Sequence, residues 1–82
     1  MAKRVAYMIQ ETLHGTWFRE EQLDGENWVS QNEGTIWIGE ENKDVVSDTR
    51  INIMMGLNGY AKNPPVKVVT YDYVPPTPEE FA

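Results

Sequence analysis

One histidine, thirteen carboxylates and no cysteine are the side chains with which this 82-residue chain could do chemistry. A metal centre needs several converging ligands, and a histidine base needs a nucleophile and an orienting group beside it. His14 has neither marked nearby, and its place before Gly15 reads as a turn residue. The doublets Glu20-Glu21 and Glu40-Glu41 have the residue type of a glycosidase pair or a hard-cation site. Adjacent residues of a strand point to opposite faces, however, so neither doublet makes a pocket alone. The run Asp24-Gly25-Glu26-Asn27 is too short for a calcium loop, which alternates acids about a fixed glycine. No GxGxxG, GxSxG or P-loop occurs, so the glycines read as turn formers. The expectation is a protein that is not an enzyme and takes no metal or cofactor.

The carboxylates act instead through their sum. The net charge is −6, and it is unevenly placed. Between Arg19 and Asp48, nine acids (Glu20, Glu21, Asp24, Glu26, Glu33, Glu40, Glu41, Asp44, Asp48) face only Arg19 and Lys43, leaving −7 there and +1 elsewhere. A field of that sign repels phosphate backbones and attracts basic surfaces, so direct nucleic-acid binding is disfavoured. Plain solubility is the competing explanation for so acidic a chain. Trp17, Trp28 and Arg19 lie within or beside the acidic stretch, and residues of these types are enriched at interface centres.

The elements that must hold these groups are legible as alternation. Residues 5–31 read as a β-meander, with tight turns at His14-Gly15 and Asp24-Gly25, where X-Gly supplies the positive φ of a hairpin turn. In the first strand Val5, Tyr7, Ile9 and Leu13 share one side, interrupted by Glu11, which is expected near a rim. A two-residue turn would set Leu13 against Thr16 and Glu11 against Phe18. The core face then carries Ile9, Leu13 and Phe18. In the third strand, residues 26–31, Val29 faces in. Trp28 lies on the Trp17/Arg19 side, opposite Glu21, with Arg19 near enough for a cation–π contact. Asn32-Glu33-Gly34 reads as a three-residue hairpin loop leading to a fourth strand, residues 35–39, with Ile36 and Ile38 inward and Trp37 outward.

Residues 45–57 fit two patterns. Val46, Thr49, Ile53, Leu57 and Tyr60 make a helical stripe with Met54 and Ala61 beside it, capped by Asn42, Ser47 or Asp48 and stopped at Asn58-Gly59. Thr49, Ile51, Ile53 and Met55 alternate like a strand, and Ile51 and Met55 fall off the helical stripe. Residues 62–65 form a connector, and 66–74, VKVVTYDYV, are a final strand. Together these predict an α+β fold: one small domain, residues 1–74, with an antiparallel meander of four to five strands and one helix packed on one face. A small all-β barrel with the indoles inside is the alternative. Residues 75–82 are expected to be a proline-rich acidic tail. A chain this short buries only roughly 60–65% of its unfolded surface, and no disulfide can staple it. The early residues lack a signal-peptide core and no stretch is long enough to span a bilayer, so a soluble, unprocessed cytoplasmic protein is expected.

Three functional readings follow. The first is a non-enzymatic binder whose acidic, aromatic surface docks on a basic patch of a larger protein, possible targets being a nuclease or a surveillance complex. Its partner-binding residues would be Trp17, Arg19, Glu20, Glu21, Asp24, Glu26, Trp28, Glu40, Glu41 and Asp44. In length, acidity and lack of a catalytic constellation the chain resembles the small inhibitors that phages encode against bacterial defence systems, anti-CRISPR proteins among them. The resemblance is of general character and implies a nucleic-acid mimic acting in a bacterial host cytoplasm; no motif carries it, so it transfers no residue role. The second reading is an accessory or assembly subunit, or a homodimer, joined by edge-strand addition. A small enzyme is the third.

Overall fold

The computed structural model describes residues 4–57 and 65–73. The helical stop at Asn58-Gly59, the stripe positions Tyr60 and Ala61, most of the connector and the tail at 75–82 lie outside these residues. Five strands and one helix follow in order: β1 (Arg4–Glu11), β2 (Trp17–Leu23), β3 (Glu26–Val29), β4 (Trp37–Ile38), α1 (Lys43–Met55) and β5 (Val66–Tyr73). The fold is α+β, an antiparallel sheet with one helix packed on it, and it is not a closed barrel.

β1 organises the sheet. Along one edge it pairs with all of β5, from Arg4 opposite Tyr73 to Glu11 opposite Val66. Its other edge is shared: Gln10 pairs with Trp17 of β2, while Ala6 and Tyr7 pair with Ile38 and Trp37 of β4. The side of β1 bearing Tyr7 and Ile9 faces α1. There Phe18, Trp37, Val46, Ile53 and Val66 complete the buried cluster, with Trp28 and Met54 packed against it. Val46 and Ile53 are seven residues apart, two helical turns, which brings both to one face and leaves Ile51 and Met55 exposed. Residues 45–57 are therefore helical through Met55, and the strand-like alternation is overridden by packing. The stop falls earlier than Asn58-Gly59. Gly56 adopts φ 69°, and the N–H groups of Gly56 and Leu57 cap the carbonyls of Ile53 and Asn52. Asn42 precedes the helix without capping it, because its amide donates to the Ile38 carbonyl at 2.9 Å.

Four local expectations are corrected. The first turn is longer than His14-Gly15: β1 ends at Glu11, whose N–H meets the Thr16 carbonyl at 3.0 Å, and residues 12–15 form the loop. Leu13 consequently sits in that loop, 69% exposed, not in the core. Second, Asp24 (φ 53°) and Gly25 (φ 80°) make the tight turn expected of them, but the ladder behind it slips. Leu23 pairs with Glu26 and Phe18 with Trp28, so residues 19–22 of β2 face Asn27 alone. The Asn27 amide bridges the gap by donating to the Arg19 carbonyl at 2.8 Å. An odd slip reverses the side on which every later residue points. Trp28 therefore joins Phe18, ring centroids 5.6 Å apart in an edge-to-face contact, and Val29 joins Trp17.

Third, β3 and β4 do not form a hairpin. Gly34 has φ −72°, an extended value and not a left-handed one, and residues 31–33 make a single 3₁₀ turn tied by Ser30 to Asn32 and Glu33. The chain then crosses the side of the sheet away from α1. A Cβ at Gly34 would lie 2.9 Å from Met8 Cε and 3.1 Å from Trp17 Cβ, so this crossing is what buries Met8. Fourth, β4 returns beside β1 with Trp37 inward, 8% exposed, and Ile36 outward at 43%, the reverse of the expected assignment. The side of the sheet away from α1 is thus covered by a loop.

Candidate partner-binding surface

Strand direction decides where the acids fall. β2 and β4 are both antiparallel to β1, so both run toward the end of the sheet at which β1 begins. Beyond Phe18, β2 carries Glu20 and Glu21 to the turn at Asp24, and Glu26 starts the return; all four are exposed. Past Ile38, β4 leads into a 3₁₀ turn, Glu40–Asn42, and then α1, which places exposed Glu40, Glu41 and Asp44 at that same end. β5 brings exposed Asp72 there also, opposite Val5. Glu40, Glu41, Asp44 and Asp72 thus lie at the end where β1 begins, whereas Glu20, Glu21, Asp24 and Glu26 lie on a hairpin whose strand β2 pairs with β1 only at Trp17, opposite Gln10.

The aromatic part of the expected site is not brought together in that way. Trp17 and Trp28 are each partly buried and lie on opposite sides of the sheet, because of the slip in β2. Glu21 does not lie across from Trp28, since Phe18 does. Arg19 is half-buried and its Nη1 donates to the Glu33 carbonyl at 2.8 Å, fastening the crossing loop to β2. The Thr35 N–H on the Phe18 carbonyl and the Glu20 N–H on the Thr35 hydroxyl, both at 2.9 Å, fasten it further. Arg19 thus positions the acidic hairpin rather than offering a contact surface.

Glu41 differs from its neighbours. Its Oε2 accepts from Arg4 Nη2 at 2.7 Å. Its own backbone N–H and that Arg4 bond hold its carboxyl below the usual carboxylate range, although partial burial works the other way. At the opposite end, Glu11 is a group that sequence reasoning undervalued. It is 3% exposed, and the loop at 12–15 wraps its carboxylate. The N–H groups of Leu13 (3.0 Å), His14 (2.8 Å) and Thr16 (2.9 Å) and the Thr16 hydroxyl (3.1 Å) all donate to it. Burial alone would raise its pKa, but these donors outweigh it and lower the value to about 2. The exposed His14 ring lies 3.6 Å from the same carboxylate, with no nucleophile between them. The available signal was a lone acid in an apolar strand face followed by Thr-Leu-His-Gly-Thr.

Among the described residues no three His, Cys, Asp or Glu side chains are grouped to hold a metal ion. No described helix is long and apolar enough to cross a membrane. Comparison of the chain with protein-family models, with curated proteins and with solved structures gives no match.

Proposed function

We propose that this protein is a non-enzymatic inhibitor that docks its acidic end on the basic, nucleic-acid-handling surface of a larger protein, in the manner of phage-encoded anti-defence proteins. The observation that supports this most is directional. Exposed acids follow two strands that both run antiparallel to β1: Glu20, Glu21, Asp24 and Glu26 on the β2–β3 hairpin, and Glu40, Glu41 and Asp44 after β4. Carboxylates spread over a hairpin and a helix start imitate the spaced charges of a phosphate backbone, and they steer association with a basic groove. Trp17 and Trp28 face opposite ways, so only one of them can anchor against a given partner. The test uses the intact protein as bait in a bacterial lysate. A DNA- or RNA-handling complex should be retained and released by added nucleic acid. Retention that excess nucleic acid does not disturb would count against the proposal.

A second reading rests on β5, whose eight residues pair with β1 and with no other described strand. Such an edge can accept another strand, from a second copy or a neighbouring subunit. Sedimentation showing a monomer at the highest attainable concentration would exclude the self-pairing form.

A further inference from the structure

β5 pairs with β1 along its whole length without a slip, so the backbone groups of alternate residues point away from β1. Which residues those are follows from one bond. The Thr12 N–H meets the Pro65 carbonyl at 3.1 Å, so Glu11 and Val66 form a non-hydrogen-bonded pair. Lys67, Val69, Tyr71 and Tyr73 therefore direct their N–H and C=O groups to β1, and Val66, Val68, Thr70 and Asp72 direct theirs outward. The Val66 carbonyl is already taken, since Arg50 Nε of α1 donates to it at 2.9 Å. Among the described residues none bonds the outward groups of Val68 and Thr70.

Sheet edges are usually blunted by a bulge, a proline or a charged side chain. Arg50 closes this one at Val66 only. The two charged residues of β5, exposed Lys67 and Asp72, cancel in a chain of net charge −6. The strand's own side chains thus present no net repulsion to a second copy of it.

Resting on the edge-strand reading above, we infer that the occupant of this edge is β5 of a second copy, paired antiparallel about a two-fold axis at Thr70. An axis perpendicular to a continuous sheet keeps the same face of both copies on the same side, so residues of equal parity stand opposite each other. Centring it on Val69 would set Val66 against Asp72 and call on the carbonyl that Arg50 holds. Of the registers that leave that carbonyl to Arg50, the one centred on Thr70 gives the longest ladder, Lys67 to Tyr73. Thr70 then meets Thr70 of the second copy. Val69 meets Tyr71, and Lys67 meets Tyr73, in the non-hydrogen-bonded pairs where side chains approach most closely. Threonine on threonine, valine on tyrosine and an ammonium beside a phenol ring are favourable cross-strand neighbours. Val69, Tyr71 and Tyr73 are half-buried in the single chain, and pairing covers more of their apolar surface.

Sedimentation equilibrium of the intact protein tests this at roughly 0.15 M ionic strength, where repulsion between two acidic chains is screened. The parent protein should be a dimer in reversible exchange with monomer. Thr70 is exposed, so charging it leaves the single chain folded. Thr70→Asp and Thr70→Lys each set like charges face to face on the axis, and each should weaken the dimer about tenfold or more. An equimolar mixture of the two variants should recover a dimer with one copy of each, because position 70 lies opposite itself. A dimer that both variants retain would overturn the inference. So would a parent protein that stays monomeric at the highest attainable concentration, and amide exchange then separates the causes. Unprotected Val68 and Thr70 amides would remove self-pairing while leaving the edge open to another subunit's strand. Protected ones would show the edge covered within the chain, and would remove the edge-strand reading as well.

Discussion

Glu11→Gln should melt well below the parent protein at neutral pH, by roughly 5–10 °C for a domain of this size. Among the described residues the carboxylate is the acceptor for the N–H groups of Leu13 and His14, and it accepts from Thr16 as well. An amide keeps one acceptor oxygen but turns its NH₂ toward donors, leaving buried N–H groups without partners. The loop then loses its hold on the end of β1. There Thr12 also bonds the Pro65 carbonyl through its N–H at 3.1 Å and its hydroxyl at 2.8 Å, so the entry to β5 loosens with it.

The pH dependence has a definite sign. The folded-state pKa of Glu11 is lowered from 4.5 to about 2, so the unfolded chain takes up the proton first as the solution is acidified. Its stabilisation is complete above the unfolded value and drains away as pH falls from 4.5 through about 2. Glu41, also lowered, adds a contribution of the same sign. Thermal melts of the parent protein should therefore fall steeply across that window. Those of Glu11→Gln should start lower and fall less. A variant with the parent's melting temperature and acid profile would show that the wrapped carboxylate contributes nothing to stability.

Exchanging Glu20 and Glu21 together for lysine should have the larger effect on function. The change reverses the charge of the hairpin while leaving the fold intact, because both side chains are exposed on β2. If the acidic end meets a basic groove, affinity for the captured partner should drop about 100-fold at low salt, much of it through slower association. Competition between parent and variant for the immobilised partner measures this directly. The same exchange at Glu33, which caps Ser30 on the crossing loop, should do far less. Equal competition by the hairpin variant would remove the proposed mechanism.

Much of the fold is legible in residue pattern, and the exceptions have physical causes. VKVVTYDY is a strand by composition, and Asp24-Gly25 supplies the two positive φ values a tight hairpin needs. Both are local properties. The side on which Trp28 points depends on how many residues of β2 stand opposite Asn27, and no local signal counts them. Gly34 looks like the left-handed residue of a hairpin loop, but its role is to let the chain pass close over Met8 and Trp17. Glu11 breaks an apolar face that reads as core. It is tolerated because the loop after it supplies donors, and the sequence shows that loop only as a turn. The acids are visible as a total, whereas the direction in which each group lies follows from β2 and β4 both pairing antiparallel to β1. That pairing is non-local.

Salt titration of the complex between the intact protein and its captured partner tests the role of the acidic end most directly. Charge-driven docking predicts that affinity falls by about tenfold or more as ionic strength rises from roughly 0.05 M to 0.5 M, because exposed ion pairs beyond a Debye length are screened. An affinity that holds constant over that range would contradict the account, and the binding surface would have to be sought away from the carboxylates.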